Sequence, residues 1–488
     1  MEQAQHEKAL IATVMENAAN AFEAFKLVPG KERAVFLEAI ALGLENKGEP
    51  LLDLAMQETN LPLVRLRAEV GRTCNQLRMY ARLLNEGSWV NAIINEANPH
   101  KNPAAQDLRS MQVPIGPVVV FGASNFPFAY STAGGDTASA LAAGCSVVVK
   151  QHPAHAQTSA RVFELIQYAA FKTHMPDYAV QHVPHAGYTT GEALVKHPAT
   201  AAVGFTGSYS GGMALHQFAQ QRKHPIPVFA EMGSVNPVFL LPAALEEKTE
   251  ELARQYAGSI TQGMGQFCTN PGLLFGICGE ALHTFAEYLA VAMQGFEPSP
   301  MLHAGIEKTF LEKIKVARHQ EGVEWLFGNQ ETDKAAATLA RVTAEVFLAN
   351  PLLHEEVFGP FSLLVECRSA AEMYACRKIL EGQLTTSFMG TTADFNNFAP
   401  LIELATMKAG RVIFNGVPTG VEVTDAMVHG GPAPATTDSR FTAVGPMAIY
   451  RWTRPVCWQN APDFLLPPAL QAENPQGIWR RVNGSLVR

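Results

Sequence analysis

The chain has 488 residues, which is enough for two or three domains with buried cores of ordinary size. Lys and Arg number 37 against 45 Asp and Glu, and the resulting net charge of −8 argues against nucleic acid as a partner. Charged residues make up 17% and apolar residues 47%, a balance that excludes global disorder.

The N-terminal region is predicted to be helical, because apolar residues recur there at helical spacing, as in Leu10, Val14, Ala18 and Phe22. No secretory leader pattern occurs, and no apolar run approaches the ~20 residues of a membrane span. The 7 cysteines include no close pair, which indicates free thiols in a reducing compartment. The sequence therefore predicts a cytoplasmic protein without a membrane span.

A second pattern begins at Pro117, where short apolar runs alternate with helical stretches. The runs lie at 117–121, 145–150, 179–183, 200–205 and 226–231, and the helical stretches at 133–143, 156–172, 188–196 and 209–222. This alternation predicts a parallel sheet that binds its ligand beyond the carboxyl ends of the strands. A second α/β block is predicted from apolar runs at 237–241, 272–279, 344–348, 361–366, 385–389 and 410–414.

The segment 417–445 is rich in Gly, Pro, Ala and Thr and has no periodicity. Two interpretations stay open. The segment is either a surface loop or, because it is longer than most loops, a functional segment at the mouth of a site.

Three residues stand out as candidates for chemistry, although each also has an ordinary structural explanation. Cys268 follows small residues and is either a nucleophile or a buried thiol. Glu231 ends an apolar run and is either a desolvated base or an exposed strand end. Asn125 precedes Phe-Pro and is typical of a turn.

Read together, six motifs strengthen these candidates because they occur in one order along the chain. They are Gly-Ala-Ser-Asn-Phe-Pro at 122–127, Lys150, Phe-Thr-Gly-Ser at 205–208, Glu-Met-Gly at 231–233, Gly-Gln-Phe-Cys at 265–268 and Glu-Glu-Val-Phe-Gly-Pro at 355–360. In this order the chain resembles the aldehyde dehydrogenase superfamily. Met-Val-His-Gly-Gly-Pro at 427–432 is similar to the branch that contains α-ketoglutaric semialdehyde (2,5-dioxopentanoate) dehydrogenases and NADP-dependent fatty aldehyde dehydrogenases.

The resemblance implies a role for each motif residue. Cys268 would attack the aldehyde and form a thiohemiacetal and then a thioester, and Asn125 would stabilise the oxyanion together with the Cys268 N–H. Glu231 would activate the water that hydrolyses the thioester. No metal ligand set is implied. The residues implied in cofactor binding are Lys150, Gly207, Ser208, Gly212, Glu356 and Phe358.

The resemblance also implies an α/β aldehyde dehydrogenase fold that assembles as a homodimer or homotetramer. Its parts would be a Rossmann-like cofactor domain at 1–95 and 117–235, a catalytic domain at 236–430, and oligomerisation segments at 96–116, which would be a hairpin, and 431–488.

The cofactor is expected to be NADP, with NAD also accepted. NAD-specific members of the family commonly carry a carboxylate three positions after the lysine that ends the strand, and this chain has Pro153 there. Lys150, with His152 and His155 as extra donors, would attract a 2′-phosphate.

The expected reaction is oxidation of α-ketoglutaric semialdehyde to 2-oxoglutarate, with medium- or long-chain (fatty) aldehydes as the alternative substrates. A substrate carboxylate would need donors and an alkyl chain an apolar wall. The expected donors are Arg411, Arg440, Thr419, Thr436 and Thr437, and the expected wall residues are Phe126, Phe128 and Phe267.

Two other functions compete with hydrolytic oxidation as interpretations of these motifs. A CoA-acylating aldehyde dehydrogenase does not need a carboxylate base, so Glu231 argues against it. An inactive aldehyde dehydrogenase-like binding protein is disfavoured because Cys268, Asn125 and Glu231 occur together.

Overall fold

Helices packed on β-sheets make up the computed structural model, which describes residues 2–184, 187–328 and 334–488. None of the helices in these ranges is long and apolar enough to cross a bilayer. In chain order, the α-helices are α1 Glu2–Phe25, α2 Gly30–Lys47, α3 Glu49–Thr59, α4 Leu63–Glu86, α5 Gly135–Ala143, α6 Ala156–Lys172, α7 Tyr188–Lys196, α8 Tyr209–Gln220, α9 Pro242–Thr261, α10 Glu280–Gln294, α11 Ala304–Arg318, α12 Ala344–Ala349, α13 Ala370–Ile379, α14 Thr392–Asn397 and α15 Ala399–Thr406.

The strands of the described residues form three sheets. In chain order they are β1 Ile93–Asn95, β2 Leu108–Pro114, β3 Val118–Phe121, β4 Val147–Lys150, β5 Val180–Val183, β6 Ala202–Thr206, β7 Val228–Glu231, β8 Val238–Leu240, β9 Leu273–Ile277, β10 Glu324–Phe327, β11 Thr338–Thr343, β12 Phe361–Cys367, β13 Gln383–Met389, β14 Ala409–Phe414, β15 Thr453–Gln459, β16 Arg480–Val482 and β17 Ser485–Val487.

The first sheet is parallel throughout and confirms the predicted β-α alternation. Its five strands lie in the order β5-β4-β3-β6-β7, and in register Val118 lies opposite Val147 and Ala202. The strands are rich in valine because helices cover both faces of such a sheet and bury its side chains. Their carboxyl ends bring Lys150, Thr206 and Glu231 to one edge.

The second sheet has seven strands in the order β10-β11-β12-β9-β8-β13-β14 and is parallel except for the antiparallel edge strand β10. The prediction of a strand at 344–348 is wrong, since these residues lie in helix α12 and the strand β11 directly precedes them. The Thr343 hydroxyl accepts a hydrogen bond from the N–H of Val346 at 3.4 Å and so caps the helix at the end of the strand. A short apolar run does not by itself distinguish a strand from a buried helix.

The third sheet joins parts of the chain that are distant in sequence, in the order β15-β2-β1-β16-β17. Strands β1 and β2 form the hairpin expected near 96–116, although its first strand begins earlier, at Ile93. Strand β2 also pairs with β15 near the C-terminus. The role of this sheet in assembly and the domain boundaries stay predictions.

The segment 417–445 contains no helix or strand among the described residues and folds back against the end of β7. The N–H of Met232 donates to the carbonyl of Ala435 at 2.8 Å, and Glu231 forms an antiparallel bridge with Thr436. His429, Ala435 and Val444 are buried. The segment is therefore anchored beside Glu231 and is not a surface loop.

Candidate active site

Cys268 lies in a tight loop that follows α9. Gly263, Met264 and Gly265 have φ values of +56°, +59° and +61°, a left-handed turn that favours glycine. A side chain at Gly265 would collide with the carbonyl of Gly359. The side-chain amide of Asn236 donates to the carbonyls of Cys268 and Asn270, both at 2.9 Å. These contacts hold the Cys268 loop in place, and Cys268 as a residue is partly exposed.

Glu231 and His429 lie beside the thiol. The Nε2 atom of His429 is 2.8 Å from Oε1 of Glu231 and 3.6 Å from Sγ of Cys268. Both side chains are almost fully buried, with exposed fractions of 1% and 3%. Within the described residues, neither oxygen of Glu231 accepts a hydrogen bond of regular geometry, which leaves the carboxylate able to accept a proton.

The thiol is held in its neutral form by its surroundings. Burial raises the pKa of the Cys268 thiol well above its usual value, the nearby Glu231 raises it further, and Arg72 opposes these effects. A thiolate is the reactive nucleophile, so the thiol needs a proton acceptor at the moment of attack. His429 is in contact with the sulfur and can fill this role.

Asn125 lies beside the cysteine loop, as the motif order predicts. Its buried side-chain amide donates to the carbonyl of Gln266 at 3.1 Å, two residues before Cys268. Its own carbonyl accepts a hydrogen bond from Nη2 of Arg65 at 2.8 Å. The amide thus lies against the loop that carries Cys268.

The β6–α8 turn and Lys150 lie at the carboxyl edge of the first sheet. The Ser208 hydroxyl caps α8 by accepting the N–H of Gly211 at 3.2 Å, and the N–H of Gly207 donates to the carbonyl of Glu231 at 3.0 Å. A side chain at Gly212 would collide with Met232. Small residues and a helix N-terminus suit the approach of a pyrophosphate, so the turn fits a dinucleotide.

Glu356 and Phe358 lie near Cys268, where they line a small cavity with Phe267 and Asn270. Burial raises the pKa of Glu356 to about 7, although the backbone N–H of Ser234 and the charge of Lys313 lower it. A side chain at Gly233 would collide with the Glu356 carboxyl group. The neighbouring Glu355 is exposed and forms an ion pair with Lys313 at 2.7 Å.

Several expected donors prove to be engaged elsewhere. Arg440 is exposed and binds Asp438. The Thr419 hydroxyl lies 2.6 Å from that of Ser259, and the Thr436 and Thr437 hydroxyls bond backbone groups. Nη2 of Arg411 donates to the carbonyls of Pro418 and Gly420, but its Nε is buried without a hydrogen-bond partner among the described residues, and its charge interacts with Cys268. Arg411 therefore stays a predicted donor.

The expectation that His155 binds a 2′-phosphate is also wrong. His155 is fully buried, its Nε2 lies 3.0 Å from the carbonyl of Ala123, and burial lowers its pKa. His152 uses Nδ1 to accept the N–H of Ala154 at 3.1 Å. Neither ring is therefore assigned to the cofactor.

Two functional candidates were missed in the sequence. In the sequence, His429 stands out only as part of the motif at 427–432. Arg72 lies in a helix whose apolar residues have ordinary amphipathic spacing. The sequence signal for His429 is that it is the one histidine of the Gly- and Pro-rich segment 417–445. Arg72 gave no such signal.

Two groups of side chains in the described residues have the spacing of metal ligands. Glu231, Cys268 and His429 form one, and Cys278, His283 and Glu366 form the other. Within each group the ligand atoms lie within 4.8 Å of one another. The first group contains the candidate nucleophile, whose thiol must be free to attack an aldehyde.

Comparison with known proteins agrees with this site. The family model described as "Aldehyde dehydrogenase family" matches residues 1–440. The chain is 47% identical over 473 residues to alpha-ketoglutaric semialdehyde dehydrogenase 2 of Azospirillum brasilense, covering 96% of this chain and 90% of that protein. It is 44% identical over 476 residues to alpha-ketoglutaric semialdehyde dehydrogenase of Acinetobacter baylyi, covering 96% and 90%.

The fold is also found in solved structures. The structure of 1-pyrroline-5-carboxylate dehydrogenase from Thermus with bound NAD has a TM-score of 0.78 and 21% identity, and the match covers 93% of this chain and 86% of that one. At this identity the likeness shows the fold alone. The family model and the two curated relatives carry the assignment, and the chain belongs to the aldehyde dehydrogenase family.

Proposed function

We propose that this enzyme oxidises α-ketoglutaric semialdehyde to 2-oxoglutarate and that Cys268, Glu231 and Asn125 carry the reaction. The observation that supports this most directly is the contact of the Cys268 thiol with His429, which in turn contacts Glu231, at the edge of a parallel sheet. The substrate is proposed from the names of the two curated relatives.

The first step needs a proton acceptor for the thiol. As Sγ of Cys268 bonds to the aldehyde carbon, its proton passes to Nε2 of His429, and the carbonyl oxygen becomes an oxyanion. The amide of Asn125 and the N–H of Cys268 would stabilise that oxyanion. The adjacent Glu231 carboxylate stabilises the positive charge of the protonated His429.

The second half of the reaction is hydrolysis of the thioester left on Cys268. A bound dinucleotide supplies the hydride acceptor for the preceding oxidation. Glu231 then takes a proton from a water molecule, whose oxygen attacks the thioester carbon. The bond to sulfur breaks, the acid leaves, and a proton returns to Sγ.

The cofactor would be held by residues on both sides of Cys268. Gly207, Ser208 and Gly212 would face the pyrophosphate, Lys150 the adenosine ribose, and Glu356 with Phe358 the nicotinamide ribose and ring. NADP is proposed as a cofactor at least as good as NAD, because Pro153 places no carboxylate against a 2′-phosphate.

Rapid mixing of enzyme, semialdehyde and NADP tests this function. Glu231→Gln should give a burst of about one equivalent of NADPH per site and then stall, because hydrolysis needs the base. Cys268→Ala should give neither burst nor turnover but should still bind the cofactor. Glu287→Gln, which changes an exposed glutamate on α10, is the matched control and should behave as wild type.

Wild-type turnover in Glu231→Gln would remove Glu231 from the mechanism. Loss of both burst and turnover in that variant would assign it to thiol activation instead. Residual oxidation by Cys268→Ala above about one per cent of wild type would contradict the nucleophile assignment.

A further inference from the structure

Two arginines of α4 lie against the aromatic rings that flank the active-site motifs. The guanidinium carbons of Arg65 and Arg72 lie 5.1 Å and 5.8 Å from the ring centre of Phe126. Arg65 also lies 4.5 Å from the ring centre of Phe267, the residue before Cys268. The two arginines are seven residues apart, so they share one face of the helix and converge on one ring.

Positive charge is in excess at this arginine pair. The nearby carboxylate is Glu69, and its Oε1 already accepts the N–H groups of Phe128 at 2.8 Å and Ala129 at 2.9 Å. Burial raises the pKa of Glu69, which favours its neutral form. Two guanidinium groups therefore face at most one negative charge, and an additional anion would balance them.

The donors of the pair are not all used by the protein. Nη2 of Arg65 donates to the carbonyl of Asn125, and Nη2 of Arg72 donates to the hydroxyl of Tyr130 at 3.0 Å. In the described part of the chain, Nε of both residues and Nη1 of Arg65 are buried without a hydrogen-bond partner. Buried donors of this kind are normally satisfied, and those of Arg65 and Arg72 lie against the active-site motifs, where a bound anion can supply the acceptor.

Other arginines on α4 show what a purely structural arginine looks like. Arg67 binds Glu49 at 2.5 Å, and Arg78 binds Glu45 at 2.6 Å, all on the exposed side. No ion pair of this kind is found for Arg65 or Arg72 among the described residues. The pair thus differs from Arg67 and Arg78 on the same helix in making no direct ion pair with a carboxylate of the described residues, because Glu69 is near but is bonded to backbone N–H groups.

We infer that Arg65 and Arg72 bind the distal carboxylate of the aldehyde substrate and so select a short acid-bearing aldehyde over an alkyl one. This inference rests on the proposed function and assigns its substrate selectivity to two residues. A guanidinium binds a carboxylate through paired N–H donors, a geometry that a lysine cannot reproduce. The Arg65 bond to the carbonyl of Asn125 links the carboxylate site to the oxyanion residue.

The test compares α-ketoglutaric semialdehyde with pentanal, an uncharged aldehyde of the same carbon number. Wild type should prefer the semialdehyde in kcat/KM. Arg72→Gln and Arg65→Gln should each lower the ratio of the two kcat/KM values by about 30-fold or more, mainly through the KM of the semialdehyde. Arg67→Gln, on the exposed side of the same helix, should leave the ratio unchanged.

Two further measurements keep the test decisive if a glutamine variant folds poorly. Arg65→Lys and Arg72→Lys keep the positive charge but lose the paired N–H donors of the guanidinium. Each should still lower the ratio of the two kcat/KM values, by about tenfold. Glutarate should inhibit pentanal oxidation competitively in wild type, and this inhibition should weaken in all four variants.

The outcomes separate the two proposals. A wild type that does not prefer the semialdehyde to pentanal would overturn the proposed substrate and, with it, this inference. A wild type that prefers the semialdehyde, together with variants whose ratio changes less than about threefold, would leave the substrate standing and overturn the role of the arginine pair.

Discussion

The first parallel sheet and the segment 417–445 deliver residues to the same site by different physical means. The sheet places Lys150 and Glu231 through the register of buried strands that pair by backbone hydrogen bonds. The segment has no such ladder and is held by single contacts, such as the N–H of Met232 to the carbonyl of Ala435.

The contrast extends to what each region contributes. The sheet edge carries the glycine turn and the lysine that suit a dinucleotide, whereas the segment carries His429, whose backbone N–H bonds the Thr442 hydroxyl at 2.9 Å. In the proposed function, regular structure holds the cofactor and the irregular segment supplies the proton acceptor. Changes in the two regions should accordingly affect different kinetic steps.

The largest expected effect of such a change is that of His429→Gln. General acid–base groups contribute 10²–10⁴-fold, so kcat should fall by about 10²–10³-fold while cofactor affinity stays near wild type. Because burial and the nearby Glu231 raise the pKa of Cys268 and the imidazole acceptor is lost, the residual activity should rise with pH further into the alkaline range than in wild type. Steady-state kinetics and the rate of thiol alkylation across pH check both points.

His283→Gln is the matched control, because His283 also lies beside a cysteine, with Nε2 3.8 Å from Sγ of the exposed Cys278. It should leave the kinetics unchanged. A His429→Gln enzyme with wild-type kcat and pH profile would reduce His429 to a packing role, and the contrast between the two regions would fail.

The same contrast shows how far the sequence alone could lead. The strands at 118–121 and 147–150 and the exact helices at 156–172 and 188–196 follow from local periodicity. The neighbourhood of Cys268, Glu231 and Asn125 followed from motif order and from the rule that ligands meet the carboxyl ends of parallel strands. These features depend on residues close in sequence or on the sheet itself.

The features that were missed depend on contacts between distant residues. His429 reaches Glu231 only because residues 435 and 436 pair with the end of β7. Arg72 reaches the site only because α4 packs against the Phe126 loop. The strand predicted at 344–348 failed for a different reason, because a short apolar run fits either a strand or a helix.

A smaller effect is expected on the sheet side, from Lys150→Ala. If Lys150 attracts a 2′-phosphate, its loss should raise the KM for NADP by about 30-fold and that for NAD much less, with kcat changing little. Lys172→Ala, at the last residue of α6, is a control on the next helix. An equal rise in both KM values, or a wild-type preference for NAD of tenfold or more, would contradict the proposed use of NADP.

The smallest expected effect is on the pH dependence of cofactor binding, and it should come from Glu356. Burial raises the pKa of this carboxyl group to about 7, so it is mostly protonated at pH 6 and mostly ionised at pH 8. Only the ionised form can accept hydrogen bonds from both hydroxyls of a ribose. The Kd of NAD should therefore fall as pH rises from 6 to 8, by at most about tenfold.

NAD is the better probe, because the 2′-phosphate of NADP can itself titrate in this range. In Glu356→Gln, whose side chain cannot ionise, fluorescence titration should show a Kd of NAD that does not change with pH. A wild-type Kd that is equally independent of pH would contradict a role of Glu356 in cofactor binding.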